Sequence, residues 1–242
     1  MRRPGLQCRP SDPPHTGIRP VLELQDLEAW RDDRCLFGAL SLSLPAGGVV
    51  QVGGANGVGK TTLLQLVAGL APLSRGRVCW RGRDRDHDPA AFLRELLFLG
   101  HLPGIKAALT VAENLRFLAA ARGLAPDDAA IAAALARVRL DGHEDSLAGH
   151  LSAGQKRRVA LARLFTEPVP LWLLDEPFTA IDREGVAGLE GWIADHAEAG
   201  GLVMLTTHHA LALRCPLQQL QLLPAYDDDA DGDDACADGA PT

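Results

Sequence analysis

No stretch of about 18 consecutive apolar residues occurs in this 242-residue chain, so by itself it is not expected to cross a membrane as a helix. Residues 1–20 contain arginines and prolines but no apolar core segment, which excludes the pattern of a secretory signal; they read as a disordered leader. No CxxC pair occurs among the five scattered cysteines, Cys8, Cys35, Cys79, Cys215 and Cys236. That scatter argues against a structural zinc site and a disulfide framework, and it fits a reducing compartment. There is no excess of basic charge either. The formal net charge is −7, and Asp227, Asp228, Asp229, Asp231, Asp233, Asp234 and Asp238 crowd the last sixteen residues. Setting those seven aside leaves 24 acidic residues against 24 basic ones, a balanced body without the basic face that nucleic acid requires. The aspartate run, diluted by alanine and glycine, reads as a disordered acidic tail over 225–242. No internal repeat and no sustained heptad pattern is visible.

What is present begins with Gly54-Ala55-Asn56-Gly57-Val58-Gly59-Lys60-Thr61. Before it runs Val49-Val50-Gln51-Val52, a short β-branched stretch of buried-strand type. After it, Thr62 to Gly69 has helical spacing. Strand, glycine-rich turn and helix in that order make a phosphate-binding loop. Glycines let backbone N–H groups converge on phosphate oxygens where a Cβ would intrude, and the helix N-terminus adds partial positive charge. Lys60 is then expected to reach the β- and γ-phosphates of a nucleoside triphosphate, and the Thr61 hydroxyl to ligate Mg²⁺.

The rest of the chain reads as an α/β body. Strands are expected at Val21–Leu27, Leu36–Leu44 and Gly76–Gly82, forming a small antiparallel sheet beside the nucleotide strand, and at Leu96–Leu99. Thr110-Val111-Ala112-Glu113 is a capping box opening a helix to about Arg122. A second helix starts at Pro126-Asp127-Asp128 and runs through Arg139, and a third spans Gly154 to Phe165. Residues from about 104 to 166 therefore read as a helical segment inserted between sheet strands, which resume at Leu171–Asp175 and Leu202–Thr206. The folded domain is expected over 21–224.

Leu171-Trp172-Leu173-Leu174-Asp175-Glu176 is an apolar strand ending in two acids. Asp175 offers oxygen ligands to Mg²⁺, and Glu176, projecting differently, can act as general base toward water. Downstream, Leu151-Ser152-Ala153-Gly154-Gln155 opens a helix and resembles the signature motif of ABC-type ATPases, with Ala153 in place of the commoner glycine. Thr179-Ala180-Ile181-Asp182 resembles that family's D-loop, and His208 its switch histidine; His209 has the weaker claim. Trp30 falls where the family places an aromatic that stacks on adenine, although packing or stacking by neighbouring Arg31 also fits.

The resemblance implies a P-loop ABC-type ATPase core, a flanking antiparallel β subdomain and an inserted helical subdomain. It also implies an ATP-sandwich homodimer in which Ser152, Gly154 and Gln155 close over the γ-phosphate bound by the opposite subunit. One departure stands out: where the family carries a glutamine that touches Mg²⁺ and water, this chain has His101. Imidazole suits softer metals, so a hydrogen bond to water is the expected role.

Leu99 to Lys106, Leu151 to Leu164, Asp175 to Asp182 and Leu205 to His208 are similar to the haem-exporter ATP-binding subunits of bacterial cytochrome c maturation, over roughly residues 21–212. That similarity implies a peripheral subunit on the cytoplasmic face of the inner membrane, bound to integral membrane partners, with ATP hydrolysis driving release of a haem-loaded chaperone. The ATPase subunit of another transporter, a soluble ABC ATPase and a subunit with little turnover remain alternatives. Direct haem binding is not expected, since no CxxCH motif occurs. Cys215-Pro216, which resembles haem-responsive dipeptides, reads more simply as the end of a strand-to-helix connection.

Overall fold

The computed structural model of the chain describes residues 21–31 and 34–223, so the expected leader and acidic tail lie outside the described residues. Two sheets organise it. Strands β1 (Leu22–Arg31), β2 (Arg34–Leu44), β4 (Arg75–Trp80) and β5 (Arg83–Asp84) form an antiparallel sheet in the order β2-β1-β4-β5. Strands β3 (Val49–Gly53), β6 (Leu96–Leu99), β7 (Leu171–Asp175), β8 (Leu202–Thr206) and β9 (Leu217–Gln221) form a parallel sheet in the order β6-β7-β8-β3-β9.

Strands β3, β6, β7 and β8 read as mostly apolar runs because both their faces are buried. Successive side chains sort into two cores. Leu171, Leu173, Leu202, Met204, Val50 and Val52 face a core shared with the antiparallel sheet and with helix α1 (Lys60–Ala68). Trp172, Leu174, Val203, Leu205 and Val49 face the other core, built with α3 (Val111–Ala120), α4 (Asp128–Arg137), α5 (Ala153–Thr166) and α6 (Arg183–Glu198). Among the described residues no helix is long and apolar enough to cross a membrane.

Local chemistry sets the helix ends. Thr110 Oγ1 accepts from the Glu113 N–H and the Glu113 carboxylate accepts from the Thr110 N–H, the expected capping box. The second inserted helix differs from expectation. Asp127 is its N-cap, accepting from the Ala130 N–H, so Pro126 lies before the helix instead of inside its first turn. It stops at Arg137 because Arg139 takes a left-handed conformation, φ 61°. The first inserted helix likewise stops at Ala120, short of Arg122. Elements that were not expected include α6, whose Gly185, Gly188 and Gly191 weaken helix propensity, β5 and β9. A short helix, α2 (Pro89–Arg94), precedes β6. Cys79, fully buried on β4, is disulfide-bonded, and Cys35 and Cys215 are free.

The His196 ring stacks on Trp172 at 3.8 Å between centroids, 7° from parallel, and its Nε2 meets the Pro170 carbonyl at 3.2 Å. Gly201 has no Cβ to collide with that ring. Burial lowers the His196 pKa from its ordinary 6.5, outweighing the bond to Pro170. The folded chain therefore prefers the neutral ring, and the unfolded chain takes up the proton first as pH falls. Stability should be unaffected above about pH 7 and should decline as pH drops through 6.5 toward the lower folded value. Denaturant unfolding at pH 7.5 and 5.5 checks this: His196→Phe, which keeps the stack without the titration, should show a smaller acid loss than the parent. An equal loss would assign the effect elsewhere.

Candidate functional site

Register brings the sequence motifs to one edge of the parallel sheet. Asp175 on β7 pairs with Thr206 on β8, Val52 on β3 pairs with the same Thr206, and Leu99 on β6 pairs with Leu174. The residues that follow these strand ends are Gly54 to Lys60, Gly100-His101, Glu176 and Thr207-His208. Ligand sites of open parallel α/β sheets lie beyond the carboxyl ends of their strands. Four chain segments remote in sequence therefore meet at the place where such a sheet binds its ligand.

The loop from Gly54 to Gly59 is shaped by its neighbours. Gly54 takes φ 138°, and a Cβ there would meet the Leu222 carbonyl and the Val58 side chain at 2.8 Å each. Gly59, at φ 104°, is the N-cap of α1, and a Cβ would meet Phe37 and Leu36 of β2 at 3.1 and 3.2 Å. Val58 is buried in the core, while Ala55, Asn56 and Gly57 are exposed. Lys60 Nζ donates to the carbonyls of Gly54 at 2.8 Å and Ala55 at 3.2 Å, and Thr62 follows in the first turn of α1. The loop thus presents an ammonium, several N–H groups and a helix N-terminus together, a set suited to a polyphosphate.

Next to it lies a carboxylate tied to two hydroxyls. Thr61 Oγ1 donates to Asp175 at 2.9 and 3.1 Å, and Thr206 Oγ1 donates to Asp175 at 2.6 Å. Asp175 is 1% exposed. Thr61 and Asp175 converge as hard oxygen donors, which fits Mg²⁺. Among the described residues no group of three His, Cys, Asp or Glu side chains is placed to hold a metal ion, so phosphate and water oxygens would complete the coordination of such an ion.

Glu176 turns the chain sharply. Its φ is 46°, and its N–H is held by the Thr206 carbonyl at 3.1 Å and the Thr206 hydroxyl at 2.9 Å. His208 Nε2 lies 3.6 Å from Glu176 Oε1, and the imidazole is largely exposed. That separation exceeds a good hydrogen bond but lies within reach of one side-chain rotation. His209 points to the other partner set: it lies 3.5 Å from Glu190 Oε1 and packs at 5.1 Å on Phe178. His101 is exposed and lines a cavity of about 460 Å³ with Thr61, Gln65, Leu102, Arg163 and Asp175.

The residues expected to engage the opposite subunit have local partners in this chain. Ser152 and Gln155 form a reciprocal capping box on α5, at 3.2 and 2.9 Å. A Cβ on Gly154 would meet the Ala180 carbonyl at 2.7 Å, so the signature turn packs closely on its own D-loop. Asp182 caps α6 through Gly185 and receives Arg158 at 2.7 Å; the Gly185 N–H, then Arg158 and Arg139, hold its carboxyl below the usual range. Trp30 is 50% exposed on β1 and pairs with Cys35, one residue from the Leu36-Phe37 pair that packs on Gly59. Cys215 lies in the segment leading into β9, where burial raises its pKa; a strand follows it, not the expected helix.

Sequence reasoning missed Arg157. It is 3% exposed, and its guanidinium donates to the carbonyls of Gly100 and Asp175, each at 2.9 Å, Pro177 at 3.3 Å and Glu176. Nothing in Lys156-Arg157-Arg158 separates the middle residue from a solvated basic run.

A family model described as ABC transporter matches residues 37–179. The cytochrome c biogenesis ATP-binding export protein CcmA of Methylococcus capsulatus is 50% identical over 82% of this chain and 96% of that protein. The protein of the same name from Yersinia pestis bv. Antiqua is 52% identical over 79% of this chain and 87% of its own length. Among solved structures, a putative ABC transporter ATP-binding protein from Pyrococcus furiosus superimposes with a TM-score of 0.72 at 25% identity, covering 83% of this chain and 96% of that one.

Proposed function

Because this chain belongs to the ABC transporter ATP-binding family, within the group of cytochrome c biogenesis ATP-binding export proteins, we propose that its ATP hydrolysis serves haem export or release of a haem-loaded chaperone. The observation that carries the catalytic part is the edge-on gathering of Lys60, Thr61, Asp175, Glu176 and His208 at the ends of β3, β7 and β8.

In this reading residues 21–224 are the ATPase domain and 104–166 its helical subdomain. The loop from Gly54 to Thr62 holds the phosphates, Lys60 neutralises the β- and γ-oxygens, and Trp30 stacks on adenine. Thr61 and Asp175 hold Mg²⁺, which supplies further charge neutralisation at the transferring phosphoryl group. Glu176 takes the proton of the attacking water, and His208 orients that water and the carboxylate. Ser152, Gly154 and Gln155 of a second copy close the site, and Asp182 of the D-loop is a further residue of the nucleotide site. Such a chain works at the cytoplasmic face of the inner membrane beside integral membrane subunits.

His101 fits the reading as a water-orienting group that reports on those subunits, supported by its place in the cavity that Thr61 and Asp175 also line. Glutamine restores a neutral donor and acceptor, so His101→Gln should keep nucleotide binding and most partner-stimulated ATPase. His101→Ala should keep ATP affinity and lose partner stimulation by about tenfold or more, the scale of one positioning hydrogen bond. ATPase assays of the chain with and without its membrane partners, together with c-type cytochrome levels in cells, test the whole reading. Normal cytochrome levels in cells lacking the chain would reassign it to another transporter; parent-like behaviour of His101→Ala would remove His101 from the site.

A further inference from the structure

Arg157 is an unusual side chain: a cation in the protein interior with no carboxylate bonded to it among the described residues. Burial pushes its pKa down, while the charges of Asp175 and Glu176 oppose that. Removing a guanidinium from water is costly, and here four backbone carbonyls take over its solvation through charge-assisted hydrogen bonds. Those carbonyls are not a random set. Three belong to the consecutive residues Asp175, Glu176 and Pro177, and the fourth belongs to Gly100, the residue before His101. The guanidinium itself rides on α5, in the helix that Ser152 opens.

The backbone it grips is strained. A non-glycine residue at φ 46° is uncommon, and such conformations persist where the surroundings impose them, at a cost of order 1–3 kcal/mol. Thr206 fixes the N–H side of Glu176 with two contacts. Arg157 fixes its carbonyl side and the carbonyls on either side of it. Between them they fix the backbone of the turn, and with it the direction of the Glu176 Cα–Cβ bond.

We propose that Arg157 is a positioning residue: it holds the left-handed turn at Glu176 and ties that turn to the loop at Gly100-His101 and to the signature helix α5. The proposal rests on the hydrolytic reading of Glu176. Lysine cannot replace it, because one ammonium on a flexible stem does not reproduce a planar fork that spans four acceptors. Nor does Arg157 touch the phosphate loop in any contact given above, so nucleotide binding should survive its loss.

The test uses Arg157→Lys and Arg157→Gln in the complete transporter complex, alone and combined with Glu176→Gln, with single-turnover hydrolysis and binding of a non-hydrolysable ATP analogue as readouts. The analogue should bind within about threefold of the parent, KM should stay near its parent value, and kcat should fall about 10–100-fold, the size expected when a reacting group is misplaced by an ångström or less. On the Glu176→Gln background the same substitutions should add less than about threefold, since residues acting as one unit are non-additive. A full multiplicative loss on that background, or parent-like turnover, would overturn the proposal. So would failure of Arg157→Lys to reach a folded state, which would make the guanidinium a support of the fold alone. If the parent complex itself does not hydrolyse ATP, the hydrolytic reading falls first; if it does and only the Arg157 variants behave like the parent, this inference falls alone.

Discussion

Glu176→Gln should slow ATP hydrolysis by roughly 10²–10⁴-fold, the usual contribution of a positioned general base, while leaving ATP bound. The carboxylate sits in a turn whose backbone is pinned by Thr206, and glutamine is nearly isosteric, so the turn should keep its shape. Lys60 and Thr61 lie on a separate loop and keep their contacts. The expected product is a nucleotide-loaded dimer that accumulates because its exit by hydrolysis is blocked. Size-exclusion chromatography with ATP, alongside a phosphate-release assay, checks both halves. Hydrolysis near the parent rate would remove Glu176 from its role.

The second large effect is at Asp175. Its carboxylate accepts both Thr61 and Thr206 hydroxyls and lies almost wholly out of solvent. Asparagine preserves the shape and one acceptor but removes the negative charge. We expect Asp175→Asn to lower Mg²⁺-dependent turnover by about 10²–10³-fold, comparable to deleting one electrostatic stabiliser of a phosphoryl transfer. Nucleotide binding measured in EDTA should change little. A magnesium titration separates the causes: raised Mg²⁺ should restore part of the activity if a weakened cation site is responsible. Turnover that matches the parent at ordinary Mg²⁺ would refute the assignment of this carboxylate to the cation.

Much of this site was legible in sequence because its parts are local. The phosphate loop, the acidic pair after β7 and the capping box at Thr110 each need only a few consecutive residues. Strands β3, β7 and β8 were recognisable as apolar runs because they are buried on both faces. What escaped depends on partners far away. Arg157 looks like any basic residue on a helix until four carbonyls from two other segments close around it. Leu217-Gln218-Gln219-Leu220-Gln221 lacks alternation because β9 is an edge strand, half exposed, and owes its extended form to pairing with β3. The Ser152 box was read for its meaning to a second subunit, whereas within one chain its hydroxyl and Gln155 satisfy each other.

That edge strand also bears on how the protein is made. Val49 must find Val203 and Leu217, partners roughly 150 or more residues later, and the Leu222 carbonyl then lies against Gly54. Closing so long a span costs chain entropy before any contact returns it, which slows folding through topology. On the ribosome the phosphate loop emerges early, yet both neighbours of its strand are synthesised near the end of the described chain. The nascent protein therefore carries every residue of the loop for most of its synthesis, while the full parallel sheet behind that loop can form only after translation has passed β9.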